Sequence, residues 1–186
     1  MQFTLNLPNL LTLARIVLIP LMVLVFYLPF TWVGPASAAI FALAGFTDWL
    51  DGFLARYLKQ SSHFGAFLDP VADKLIVAVA LILLVDQHRS FFLAIAAMII
   101  IGREITISAL REWMAHVGAR HRVAVSFVGK VKTAMQMLAI VLLLYQLPLF
   151  GYPTYKIGLV ALYVAALLTL WSMVQYMIAA MSRDQA

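Results

Sequence analysis

A chain of 186 residues with 65% hydrophobic and 11% charged residues has a mean hydropathy of +0.98. Soluble domains carry roughly half apolar and about a quarter charged residues, so this composition excludes one. It also excludes a disordered chain, which lacks the apolar surface to collapse. What remains is an integral membrane protein. At about 20 residues per crossing the length holds at most six or seven spans, so residues 1–186 read as a single transmembrane domain. Thirteen Lys+Arg against eight Asp+Glu give a net charge of +5. In a membrane protein that excess marks cytoplasmic segments, and no basic stretch is long enough to follow a nucleic-acid backbone. With no cysteine, disulfides, thiolate metal sites and cysteine nucleophiles are excluded.

Residues 1–14 carry no charged side chain, so the basic start of a signal peptide is missing and a retained first span is expected over 10–28. A second apolar segment runs over 35–57 and contains Asp48 and Asp51. The polar link Lys59-Gln60-Ser61-Ser62-His63 leads to a third span expected over 69–85, where Asp69 before Pro70 reads as a helix N-cap. After a tight polar turn at Asp86-Gln87-His88-Arg89, a fourth helix is expected over 91–115, with Arg103, Glu104, Arg111 and Glu112 towards its end. The loop Arg120-His121-Arg122 precedes a fifth helix over 124–147 that begins with Lys130 and Lys132. A turn from Pro148 to Pro153 leads to a sixth helix over 155–181.

Too few alternating strands exist to close a barrel, and open backbone is costly in lipid, so the expected architecture is six transmembrane α-helices. Six spans place both termini on one side. Eleven of the thirteen Lys and Arg fall on that side; only Arg89 and Lys156 fall on the other. Both termini are therefore expected in the cytoplasm.

Of the eight acidic residues, Asp48, Asp51, Asp69 and Asp73 lie on two consecutive helices. The first pair is spaced i, i+3 and the second i, i+4, so each pair shares a helix face. An ionised Asp near the centre of a span costs roughly 2.5–3.5 kcal/mol on insertion scales. The nearest cations in sequence, Arg56 and Lys74, cannot offset four. Two divalent cations can, and all-oxygen ligation suits Mg²⁺ or Mn²⁺. Such a pair is a clamp for phosphoryl transfer. Gly52, Ala55 and Gly65 clear bulk beside these carboxylates, and Arg56 supplies a cation for a phosphate. Arg103, Arg111, Lys130 and Lys132 form a second group whose charge points to an anionic ligand, one that carries a phosphate.

The run Asp48-Trp-Leu-Asp51-Gly52-Phe-Leu-Ala55-Arg56, eight residues, then Gly65-Ala-Phe-Leu-Asp69-Pro-Val-Ala-Asp73 resembles the signature of the CDP-alcohol phosphatidyltransferases, D-x-x-D-G-x-x-A-R-x8-G-x-x-x-D-x-x-x-D. Every defined position matches. The resemblance implies transfer of a phosphatidyl group from a CDP-linked lipid to an alcohol, with release of CMP by direct attack. It implies Asp48, Asp51 and Asp69 as the main metal ligands. Asp73 would complete the metal site and act as general base. Gly52, Ala55, Arg56 and Gly65 would border the cytidine diphosphate. It also implies a homodimer in a bacterial inner membrane, with the active site facing the cytoplasm.

Within the family, Ser108-Ala-Leu-Arg111-Glu-Trp113, Gly129-Lys130-Val-Lys132-Thr133 and Pro8-Asn9-Leu-Leu-Thr12-Leu-Ala-Arg15 look most like the bacterial members that take glycerol 3-phosphate. CDP-diacylglycerol is then the donor, and Asn9, Thr12 and Arg15, three residues apart, are placed to touch its diphosphate. Inositol phosphate and phosphatidylglycerol remain open as acceptors. From another class, a Mg²⁺ channel or carrier would use the same carboxylates.

Overall fold

The computed structural model describes residues 7–58, 63–116, 127–149 and 151–181. Six helices follow one another: α1 (Leu7–Phe26), α2 (Val33–Leu58), α3 (His63–His88), α4 (Phe91–His116), α5 (Phe127–Tyr145) and α6 (Thr154–Met181). Among the described residues there is no strand beyond an isolated bridge between Leu149 and Tyr152. That bridge closes the turn before α6, where Gly151 takes a φ of 81° that a side chain would strain. Four helices are long and apolar enough to cross a membrane, over Asn9–Phe26, Val33–Leu54, Phe91–Met114 and Thr154–Met177. The other two fall short of that measure: α3 carries Asp69, Asp73, Lys74 and Asp86, and the apolar part of α5 is the shorter stretch Val131–Tyr145.

The chain is inside-out relative to a soluble bundle. Large apolar side chains such as Val17, Leu24, Phe92, Val160 and Leu167 face outward, while Arg15, Lys132, Asp51 and Arg103 are buried. A lipid solvent explains both halves of that pattern, since apolar side chains lose nothing there and ionised ones must find partners within the protein. Helix association in lipid relies on close packing through small residues. A Cβ added to Gly34 would sit 2.9 Å from the carbonyl oxygen of Tyr145, and one on Gly158 would sit 3.1 Å from that of Ala139. These glycines let α2 and α6 approach α5, and the α5–α6 contact is the most extensive in the fold.

The apolar core occupies one half of the bundle, around Met22, Phe41, Leu81, Leu84, Leu93, Ile140, Leu143 and Leu162. At that end Tyr27 donates to Asp86 at 2.9 Å, which holds the phenol above its usual pKa, and Gln146 donates to Gln87 at 2.6 Å. The other half gathers the N-terminal turns of α1, α3 and α5 with the C-terminal halves of α2, α4 and α6. The polar candidates whose side chains are described fall there.

Two local expectations change. Helix α3 starts at His63, so Pro70 lies inside it and Asp69 is not its N-cap. The Asp69 carboxylate accepts instead from the Thr12 hydroxyl of α1, a tertiary bond that outweighs the local capping preference. Helix α3 also continues through Asp86 and Gln87 to His88, leaving Arg89 and Ser90 as the whole connection. Arg89 takes a φ of 44° to end α3, and Ser90 Oγ accepts from the Leu93 amide at 3.5 Å to start α4.

Candidate active site

Three of the four carboxylates converge on one cation. Arg15, on the third turn of α1, is 0% exposed. Its Nη1 pairs with Asp48 Oδ1 at 3.1 Å and with Asp73 Oδ1, and its Nη2 pairs with Asp51 Oδ2. Asp51 is only 4% exposed, whereas Asp48 and Asp73 each keep about two-fifths of their side-chain surface open. Thr12, one turn before Arg15, ties Asp69 into the same group. The i, i+3 spacing of Thr12 and Arg15 therefore aims both side chains at the two acidic helices. Asn9, a turn earlier, is buried as well. Arg15 is the counter-charge that counting sequence neighbours missed, because it comes from a helix more than 30 residues away.

A cavity of about 800 Å³ opens beside this group. Asp48, Asp69 and Asp73 line one side of it, and Arg103, Glu104 and Arg111 line the other. It lies where α4 and α5 both pack near α3 but make no close backbone approach to each other among the described residues. Side chains bridge that gap. Glu104 Oε1 accepts from Arg103 Nη1 at 2.7 Å and from Lys132 Nζ, across from α5, at 3.5 Å. Lys132 is 1% exposed, so this carboxylate is what compensates it. Arg111 is exposed and sits 5.9 Å from the ring centroid of Tyr176 on α6.

Most of the sequence-derived candidates thus meet at one cavity or in the ion-pair groups that flank it. Gly65 is buried and Gly52 half-buried on the same two acidic helices. The side chains of Ala55, Arg56 and Lys130 lie outside the described residues. Sequence reasoning passed over Glu104, Gln136 and Tyr176, all of which line the cavity. The signal for two of them was present. Glu104 adjoins Arg103, and Gln136 follows Lys132 by one helical turn.

Among the described residues no three carboxylates or imidazoles are arranged as ligands of a single ion. The Arg15 guanidinium holds the point on which they converge. The donor set nevertheless fits hard divalent cations: it is all oxygen, it is pre-gathered, and three carboxylates share one resident cation while the fourth is held beside them by Thr12. Chemically, the arrangement offers a carboxylate centre suited to a metal-bound diphosphate and, across the cavity, cations suited to a phosphate.

The chain belongs to the CDP-alcohol phosphatidyltransferase family, a family of transferases, which it matches over residues 5–178. It is similar to the CDP-diacylglycerol–glycerol-3-phosphate 3-phosphatidyltransferase of Sodalis glossinidius (strain morsitans), at 57% identity over 176 residues that cover 95% of each chain. The proteins of the same name from Salmonella choleraesuis (strain SC-B67) and Shigella flexneri serotype 5b (strain 8401) are each 54% identical over 180 residues, covering 97% of this chain and 96% of theirs. With its apolar helices, this makes it a multi-pass membrane protein.

Proposed function

We propose that the chain transfers the phosphatidyl group of CDP-diacylglycerol to glycerol 3-phosphate, giving phosphatidylglycerol phosphate and CMP. The observation that carries this reading is the shared cavity, which is lined both by the carboxylates Asp48, Asp69 and Asp73 and by the cations Arg103 and Arg111. The names of relatives more than half identical support the same reaction.

In this reading Asp48, Asp51, Asp69 and Asp73 hold two divalent cations, Mg²⁺ or Mn²⁺, which when bound would neutralise the diphosphate and the leaving CMP. Asn9, Thr12, Gly52, Ala55, Arg56 and Gly65 border the CDP headgroup. Arg103, Arg111, Lys130 and Lys132 bind the acceptor's phosphate and so fix which end of the molecule enters the carboxylate side. A carboxylate oxygen of Asp73 takes the proton from the acceptor hydroxyl as its oxygen attacks the phosphorus that carries the diacylglycerol. The bond from that phosphorus to the CMP oxygen breaks, and CMP leaves. Desolvation of the cavity strengthens each of these contacts.

The Lys and Arg bias supports an active site facing the cytoplasm of a bacterial inner membrane, with both termini on that side. The family resemblance supports a homodimer. The purified protein, reconstituted with CDP-diacylglycerol and Mg²⁺, should release CMP with glycerol 3-phosphate and not with inositol phosphate, serine or phosphatidylglycerol, and EDTA should abolish release. Turnover with another acceptor would keep the carboxylate site and overturn the acceptor. No turnover with any of them, together with Mg²⁺ flux into liposomes, would move the carboxylates to a cation carrier.

A further inference from the structure

Several polar side chains of the cavity wall have no part in the proposed chemistry, and one of them is buried with an unpartnered oxygen. Gln136 on α5 is 4% exposed and lines the cavity, yet its Oε1 has no hydrogen-bond partner. A buried amide oxygen without a donor is unfavourable, and native proteins rarely retain one unless a ligand or water completes it. The surroundings narrow what that ligand is. Lys132 lies one turn before Gln136 on the same face, about 6 Å along the axis, and it shares the Glu104 carboxylate with Arg103. Across the cavity stand the carboxylates Asp48, Asp69 and Asp73.

A molecule with its phosphate on the cations and a terminal hydroxyl at Asp73 has its middle carbon between them. An acceptor oxygen on the cavity wall, one turn from Lys132, selects a hydroxyl on that carbon, since only a donor satisfies it. We infer that Gln136 is a specificity-determining residue, whose Oε1 accepts a hydrogen bond from the non-reacting C2 hydroxyl of a three-carbon polyol phosphate. The assignment rests on the proposed transfer to glycerol 3-phosphate. It adds what the cations alone cannot supply: they recognise any phosphate, whereas a buried amide oxygen rejects an acceptor that lacks the central hydroxyl.

The test compares glycerol 3-phosphate with 3-hydroxypropyl phosphate, which has the phosphate and the terminal hydroxyl but no C2 hydroxyl. Purified wild type in CDP-diacylglycerol/Mg²⁺ micelles should favour glycerol 3-phosphate in kcat/KM by about 10- to 100-fold, the range of one buried hydrogen bond. Gln136→Leu should lose that preference. Its kcat/KM for glycerol 3-phosphate should fall to the level of the deoxy acceptor, while the deoxy acceptor changes by less than about threefold. Gln136→Met serves if the leucine variant fails to fold, and unchanged CDP-diacylglycerol binding in either variant confirms an intact donor side. A preference that survives both substitutions overturns the inference and leaves Oε1 to a bound water. If wild type turns over neither acceptor, the proposed reaction fails, which is distinguishable from the first outcome.

Discussion

Arg15→Gln isolates the central electrostatic feature of the site. The guanidinium is fully buried and meets three carboxylates. Asp48 and Asp73 are substantially open to solvent, so their share of the lost attraction is screened. Asp51 is not, and removing the partner of a buried charge costs about 3–5 kcal/mol. At roughly 2–4 °C per kcal/mol for a chain of this length, the variant should melt about 6–20 °C below wild type in EDTA. Divalent cations would then supply counter-charge that Arg15 no longer provides. Adding Mg²⁺ at about 100 times its Kd recovers about 2.7 kcal/mol, so the variant should gain more from Mg²⁺ than wild type, in which the metal has to displace a resident cation. Thermal unfolding in detergent, followed by tryptophan fluorescence with and without Mg²⁺, reads both quantities. The double variant Arg15→Gln/Asp51→Asn removes the stranded charge and should recover much of the loss in EDTA. A single variant as stable as wild type in EDTA would refute the counter-ion role.

Other expectations follow from the same geometry. Asp73→Asn should lower kcat by at least about 10²-fold, as loss of a general base does, while CDP-diacylglycerol binding measured by calorimetry stays near wild type; near-normal turnover would remove Asp73 from that role. Glu104→Gln frees Arg103 and Lys132 from a competing carboxylate, so KM for glycerol 3-phosphate should fall several-fold with kcat little changed; a rise in KM would mean that Glu104 orients those cations rather than competing for them. Gly34→Ala places a methyl 2.9 Å from the Tyr145 carbonyl oxygen, a backbone atom that cannot swing away. It should destabilise by about 1–3 kcal/mol, seen as a lower melting temperature with KM unchanged.

The architecture was legible because hydrophobic length and helix-breaking residues are local properties. The expected spans over 91–115 and 155–181 lie within one residue of α4 and α6 at each end. The start of α3 was not legible in the same way. Asp69-Pro70 is a good local start signal, but the chain satisfies its backbone by beginning the helix at His63, and Thr12 takes the carboxylate that would have capped it. The acidic signature placed four carboxylates on two helices, and helical spacing put each pair on one face. What balances them could not be read locally, since Arg15 reaches them from α1 across more than 30 residues. Glu104 was obscure for a related reason. Its place beside Arg103 was open to reading in the sequence, but only the packing of α5 brings Lys132 to the same oxygen.

Arg15 and Glu104 together explain how such a site exists in a membrane before any substrate arrives. An uncompensated carboxylate or ammonium in a low-dielectric interior is strongly destabilising. Here the acidic half of the site contains a built-in cation and the basic half a built-in anion. In the proposed reaction binding would be an exchange of partners: a divalent cation would take the place of the guanidinium, and a phosphate that of the carboxylate. Exchange weakens apparent affinity for each ligand, because each must outcompete an intramolecular partner. It also makes the two halves respond in the same sense to loss of their internal partner: stability without ligand falls and net ligand affinity rises. Gln136 lies outside this scheme. Its amide is uncharged and its Oε1 has no partner in the protein, so the contact assigned to that oxygen replaces nothing within the protein and acts on acceptor choice alone.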